Sequence, residues 1–341
     1  MVALVTLWNT SLLLCLAGGG ALLALIAARG IALPARRKRI EARRRLAPLL
    51  MGGKAPPQQL ARIEGRVATE LAIELAELTR GSDRDAMLDA AERLGVPRLL
   101  ARGLRSRTAQ DRLTAAETLA LFPGRANGAA RALDDRNPDV RLGAALALAH
   151  REDGPAPAEI VRKLRLGSEE HSLLLISLMR DLAGRDPAAI EAMIFDEATA
   201  EEARLAAIDA LAECGHAHAP LLAYVAQEAW SNPGRHARVL RALGRTAHPA
   251  ARAAIGDGLD SEDMVVRAAA AEAAGSARMA EFAAALGGLL SDSEWRVRLN
   301  AGQSLLKLGR EGLETMREIA GSTDPIASEA ARVMLAEAGQ A

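Results

Sequence analysis

Few residues of this chain have types and spacings suited to chemistry. Cys214, His216 and His218 form a Cys-x-His-x-His spacing, three side chains of the kinds that ligate zinc. A zinc site needs three or four ligands converging from segments that let the chain wrap around the ion. One clustered turn with no second pair elsewhere falls short of that, and a polar loop between helices is expected, with no metal and no cofactor. Asp139 with Arg141 and Asp263 with Arg267 have the makings of an acid–cation pair. Both pairs recur at a fixed repeat spacing, which points to a structural ladder in which arginine bridges carboxylates and loop carbonyls of successive units. Gly18, Gly19 and Gly20 lie inside an apolar stretch and form no phosphate loop; neither a serine elbow nor a zinc-protease helix occurs. No catalytic residue is assigned and no enzyme activity is expected.

Four further arginines stand apart. Arg235, Arg238, Arg241 and Arg245 crowd about a third of one helix's circumference at 100° per residue. Trp230 lies just before that helix, and Trp295 precedes Arg296 and Arg298 two units later. Tryptophan and arginine are the residues most enriched in binding hot spots. These six residues are the candidate contact for a protein partner, one with an acidic segment. A solvated face, with Trp230 filling a gap between units, is the competing reading.

The elements that must position these groups are written as a repeat. From about residue 83 the chain returns every 29 to 33 residues to arginine, then alanine three on, then an apolar residue seven on. Examples are Arg112/Ala115/Leu119, Arg141/Ala144/Leu148, Arg204/Ala207/Leu211, Arg267/Ala270/Ala274 and Arg298/Ala301/Leu305. His171, His236 and Ser328 replace the arginine in degraded copies, and Met87/Ala90/Leu94 is a weaker first one. Four residues before the register position stands a helix-capping type: Asp83, Thr108, Asn137, Asn232, Asp263 and Asp324. Gly95, Gly124, Gly184, Gly215, Gly244, Gly275 and Gly309 follow where each helix should end. A second apolar stretch fits between glycine and next cap, as at 129–133, 160–166, 190–195, 221–226 and 282–290. Aromatic residues make up 2% of the chain and strand signals are scarce. The expected fold is all-α, a solenoid of about eight to nine two-helix units, each unable to bury its apolar face alone.

The run Asn137-Pro138-Asp139-Val140-Arg141 with Ala144, Ala145 and Leu148, and the segment from Asp263 to Ala270, resemble HEAT repeats of the short bacterial type also found in phycobilin lyases. The resemblance covers roughly residues 80–341. It implies a helical solenoid and allows scaffolds, adaptors, regulators and a few enzymes.

The first charged residue is Arg29, and residues 1–28 are dominated by Leu, Ala, Val and Gly. About 20 helical residues span a bilayer's ~30 Å hydrocarbon core, so one transmembrane helix is expected there. A cleaved signal peptide competes, but it wants its positive segment first and a shorter core. Here the cations follow: Arg29, Arg36, Arg37, Lys38, Arg39, Arg43, Arg44 and Arg45, against Glu41 alone. Positive residues stay cytoplasmic, which puts the N-terminus outside and the repeats inside. These eight basic residues and one acidic give +7, leaving −7 for the rest of a chain whose 43 basic and 43 acidic residues cancel. A mildly acidic soluble part argues against nucleic acid as partner. Two cysteines imply no disulfide framework, in keeping with the cytoplasm.

The expected organisation is an anchor over 1–28, a basic juxtamembrane segment and linker over 29–58 containing Gly52, Gly53, Pro56 and Pro57, a capping helix over 59–82, and the solenoid over 83–341. Leu60, Ile63, Val67, Leu71, Leu75 and Leu78 mark the capping helix by their 3 and 4 spacing. The function expected is that of an inner-membrane-tethered scaffold or adaptor for a protein partner, with no small-molecule substrate. A HEAT-like lyase acting on a chromophore- or cofactor-carrying protein is the alternative that the family resemblance allows.

Overall fold

The structure, a computed structural model, describes residues 37–52, 56, 60–166 and 173–339, together with Trp8, Leu13 and 18–20. Among these residues every regular element is a helix. None is long and apolar enough to cross a membrane, and the anchor read over 1–28 lies outside the described residues but for the five just named. The chain divides into two compact units, residues 1–148 and 149–341.

Unit 1 contains α1 (helical over 37–51), α2 (Arg62–Leu78), α3 (Gly81–Arg93), α4 (Val96–Gly103), α5 (Ala109–Ala120), α6 (Ala126–Ala129) and α7 (Pro138–Ala149, whose last residue passes into unit 2). Unit 2 contains α8 (Pro157–Leu164), α9 (Leu173–Arg185), α10 (Pro187–Phe195), α11 (Glu201–Glu213), α12 (Ala219–Glu228), α13 (Pro233–Thr246), α14 (Ala251–Leu259), α15 (Met264–Ser276), α16 (Ala283–Gly288), α17 (Trp295–Lys307), α18 (Arg310–Ala320) and α19 (Pro325–Glu337). Where a linker is expected, residues 37–51 are helical, because Ala42, Leu46 and Leu50 recur every fourth residue and are buried. In α2 the buried face is Gly65, Val67, Ala68, Leu71, Ala72 and Ala76, while Ile63 and Leu78 at its ends are exposed.

In unit 2 the register helices α9, α11, α13, α15, α17 and α19 pack consecutively, with α8–α10, α12–α14 and α16–α18 contacts in a second layer. Contacts between neighbouring register helices keep a near-constant offset: Arg235 to Glu201, Gly244 to Ala273, Asn300 to Ala268, Gly302 to Met334. Both members of each pair advance together, so these helices run parallel and their N-terminal turns line one edge. The register supplies the core. Ala115, Ala144, Ala207, Ala270 and Ala301 are buried, as are Leu119, Leu148, Leu178, Leu211, Leu243 and Leu305. Leu174 departs from the pattern and is exposed; His171 lies outside the described residues.

Thr108, Asn137, Asn232, Asp263 and Asp324 each accept first-turn N–H groups, at 2.7–3.4 Å, and so cap their helices. Asp83 does not, because α3 begins earlier, at Gly81 after Arg80, and Asp83 sits inside its first turn. Gly95, Gly124, Gly215 and Gly309 take positive φ at helix ends, but Gly184, Gly244 and Gly275 are helical. The helices carrying the last two run on to end beside Ala247 (φ 50°) and Arg278 (φ 53°). Gly244 has a different task. A Cβ there would stand 2.6 Å from the Ala273 Cα and 2.9 Å from its carbonyl oxygen, so α13 and α15 touch backbone to backbone. Gly275 meets Ser304 of α17 in the same way, at 2.6 Å from its Cα.

The arginine ladder joins loops to helices. Arg267 forks onto Asp292 through Nε (2.7 Å) and an Nη (3.1 Å), and donates to the carbonyls of Ser261 and Glu262. Arg112 does the same with Asp135 and the carbonyls of Ser106 and Arg107. The carboxylates are thus Asp135 and Asp292 from the following loop, not Asp139 and Asp263; Asp263 is engaged in capping. Burial by itself would raise the Asp292 pKa, but the hydrogen bonds from Arg267 and the Glu294 N–H bring it below the ordinary value. Asp135 is lowered first by Arg112, against burial. A carboxylate whose pKa is depressed on folding contributes stability above its unfolded pKa, about 3.9, and loses it as pH falls through the lower folded value. Thermal melting should therefore fall steeply below about pH 4, and Asp292→Asn should flatten that descent. An unaltered acid limb in Asp292→Asn, measured by circular dichroism, would show that the pair carries no linkage.

Candidate functional site

The four arginines singled out by sequence lie together on α13, and all are occupied. Arg235 forks onto Glu201 of α11, at 2.9 Å through Nε and 2.5 Å through an Nη. Arg238 and Arg245 hold the two oxygens of one carboxylate, Asp209 of α11, at 2.5 Å and 2.6 Å. Arg241 reaches forward to Glu272 of α15 at 2.9 Å. The side chain of Asp209 is only 10% exposed. A carboxylate at that depth needs its charge compensated, which two guanidinium groups accomplish. The cluster therefore clamps α11, α13 and α15 together, where the sequence suggested a basic face open to a partner. Recognising this from sequence required pairing Arg238 with Asp209, 29 residues away, and Arg241 with Glu272, 31 away. The repeat period contains that information once neighbouring register helices are known to be parallel.

The tryptophans fare differently. Trp230, in the turn before α13, is 51% exposed and lies over buried His236 with ring centroids 4.9 Å apart. Burial lowers the His236 pKa, keeping the imidazole neutral beneath the indole. Trp295, first residue of α17, is 61% exposed. Between and beyond them, on the first turns of α15 and α19, Met264, Val265 and Ile326 are exposed as well. Met264 and Trp295 are equivalent, each three residues before its register arginine; Val265 and Ile326 stand two before the register residues Arg267 and Ser328. Since α13, α15, α17 and α19 pack in sequence and α13 to α19 run parallel, these five side chains form a row along one edge of unit 2. Arg296, beside Trp295, is exposed and has no partner among the described residues. Sequence inspection caught the two tryptophans and missed the three aliphatic members, whose signal is their shared place before the register position.

Cys214, His216 and His218 diverge. The thiol faces the Arg180 carbonyl at 3.9 Å, His216 Nδ1 donates to the Thr246 carbonyl at 2.7 Å, and His218 Nδ1 lies 2.8 Å from Glu191. Burial raises the Cys214 pKa, disfavouring the thiolate a metal or nucleophile role would use. Among the described residues no three His, Cys, Asp or Glu side chains are grouped as metal ligands would be. A cleft of about 870 Å³ lies between the 150–157 loop and the end of α9. Its charged groups serve the fold: Arg185 donates to the Arg151 and Pro155 carbonyls, Asp186 caps α10, and His150 approaches Asp181 at 3.3 Å. Of the cations that the sequence reading placed next to a membrane, Arg39, Arg43 and Arg45 are paired with Glu70, Glu74 and Glu64 of α2. Arg37, Lys38 and Arg44 are exposed, and Arg36 lies outside the described residues.

Residues 219–306 and 254–336 match HEAT repeats. The match falls within unit 2 and includes α13, α15 and α17 and all five residues of the apolar row. No curated protein matches the chain. Among solved structures, Kap121p bound to Pho4p is similar over 81% of this chain, with 14% identity and a TM-score of 0.44. Kap121p bound to Nup53p gives the same values. This chain spans 37% of the length of Kap121p in both. An engineered protein is similar over 86% of this chain and 88% of its own, with 18% identity and a TM-score of 0.34.

Proposed function

We propose that this chain is a membrane-tethered scaffold whose second unit holds a protein partner along the edge formed by Trp230, Met264, Val265, Trp295 and Ile326. The row carries the proposal. Four of its side chains recur in the open on the first turns of the successive parallel helices α15, α17 and α19, with Trp230 in the turn before α13, whereas Leu173, Leu174, Phe195, Tyr224 and Val333, also exposed, lie on α9, α10, α12 and the later part of α19. Contiguous exposed apolar surface rimmed by polar groups is the mark of an interaction site. Tryptophan contacts supply the affinity. Arg296, exposed beside Trp295, is the cation that favours a partner segment that is acidic as well as apolar. HEAT repeats over 219–336 fit this use. The α13 arginines set the positions of the helices that present the row and do not themselves reach the partner.

The rest of the proposal is topological. Residues 1–28 form a retained span, the N-terminus faces outward, and the units lie on the cytoplasmic side of an inner membrane. No catalytic step is part of it, and no observation favours the lyase alternative. A photo-crosslinker placed at Met264 in intact membranes should trap a discrete adduct. Trp295→Ala should reduce that adduct at least about tenfold, since loss of a hot-spot tryptophan costs about 2 kcal/mol or more. Melting should hardly change, because the indole is exposed. An adduct of undiminished yield in Trp295→Ala would remove the row as the site; a C-terminal reporter active only outside the cytoplasm would overturn the topology.

A further inference from the structure

The first helix of unit 1 presents two unlike faces. Ala42, Leu46 and Leu50 are buried against the unit, and Arg39, Arg43 and Arg45 are held by carboxylates of α2. At 100° per residue, Arg37, Ile40, Arg44 and Met51 lie on the opposite side of α1. Ile40 is 47% and Met51 71% exposed, and neither Arg37 nor Arg44 has a partner among the described residues. Lys38, on the flank, borders a cleft of about 440 Å³ that also contacts Arg62 and Ile63 of α2. Lys38 and Arg62 are likewise without a partner among the described residues. Glu41 is the one acid on the outward side.

We infer that this outward face of α1 docks on the anionic surface of the membrane, with Ile40 and Met51 entering the headgroup layer and Arg37, Lys38, Arg44 and Arg62 on lipid phosphates. Exposed apolar side chains interleaved with unpaired cations are the composition of a helix lying in a bilayer interface. Such a face attracts the negatively charged cytoplasmic leaflet within a Debye length of about 8 Å. Chain length makes the encounter unavoidable. Eight residues, 29–36, separate the apolar stretch from α1. Fully extended they reach at most about 28 Å, so a spanning segment confines α1 to the neighbourhood of the headgroups. The inference rests on the reading of residues 1–28 as a membrane anchor. It adds that the basic run serves two surfaces: Arg39, Arg43 and Arg45 fasten α1 to α2, and the remaining cations fasten α1 to lipid, fixing how unit 1 stands on the membrane.

The test uses the full chain carrying Cys15→Ser, Cys214→Ser and Met51→Cys, labelled at residue 51 with a fluorophore. It is reconstituted into vesicles of phosphatidylcholine alone or mixed with phosphatidylglycerol, each containing a shallow nitroxide-labelled lipid. Strong quenching is expected in the mixed vesicles only. It should drop to the neutral-vesicle level in Arg37→Gln/Arg44→Gln, with the melting temperature unchanged because neither guanidinium has an intramolecular partner. Equal quenching in the two lipids, no quenching in either, or quenching that survives the double substitution would overturn the inference. Alkaline washing separates it from the anchor reading. A chain that stays in washed vesicles without quenching at residue 51 refutes the docking face alone, whereas a chain washed off refutes the anchor and the inference with it.

Discussion

Gly244→Val should lower the stability of the second unit by at least about 3 kcal/mol, or about 6–12 °C in melting temperature for a unit of this size. The added Cβ would meet the Cα and carbonyl oxygen of Ala273 at 2.6 Å and 2.9 Å, both backbone atoms that cannot rotate aside. Only separation of α13 from α15 relieves the clash, and that separation also strains the Arg241–Glu272 pair between the same helices. Gly184→Ala is the matched control. It too is a helical glycine near the end of its register helix, but it is exposed and an added Cβ there would meet nothing within 4 Å. That change should raise stability by about 0.5–1 kcal/mol, through the smaller entropy lost by alanine on folding. Equal melting of Gly244→Val and the parent would mean the two helices do not approach this closely.

Arg238→Ala/Arg245→Ala should destabilise the same unit by about 2–3 kcal/mol, by leaving the buried Asp209 carboxylate without compensation. The figure is held below the 3–5 kcal/mol typical of a fully buried broken pair because both arginines are partly exposed and solvent screens part of the loss. Adding Asp209→Ala to the double variant should restore most of the deficit, since an absent carboxylate needs no partner. A surface patch that only solvates or awaits a ligand would behave otherwise: the arginine substitutions would leave melting unchanged, and removing Asp209 would help nothing. The triple-variant comparison by denaturant titration distinguishes the two directly.

These two sites show where inspection of the chain reaches its limit. Asn232, Asp263 and Asp324 could be recognised as caps because capping is settled within four residues, by a side-chain oxygen and the N–H groups just ahead of it. The alanines and leucines of the register could be assigned to the core because a helical period of 3.6 residues is itself local. Gly244 and Gly184 cannot be told apart this way. Both occupy the place where a helix-ending glycine is expected, and what distinguishes them is whether another helix passes at contact distance. Arg238 likewise has a charge visible in the sequence and a partner 29 residues away.

By itself, then, the sequence determined that residues beyond about 80 form repeated two-helix units, which residues face the core at all but a few positions such as Leu174, and that the cations cluster at 29–45 and 235–245. The tertiary structure alone decided which of those charges are spent. It closed Arg235, Arg238, Arg241 and Arg245 onto Glu201, Asp209 and Glu272, and it left Trp230, Met264, Val265, Trp295 and Ile326 in the open on one edge. The physical reason is range. Helix formation, capping and amphipathic patterning depend on neighbours within a turn or two, whereas ion pairing and exposure depend on which parallel helix lies alongside, and at what offset.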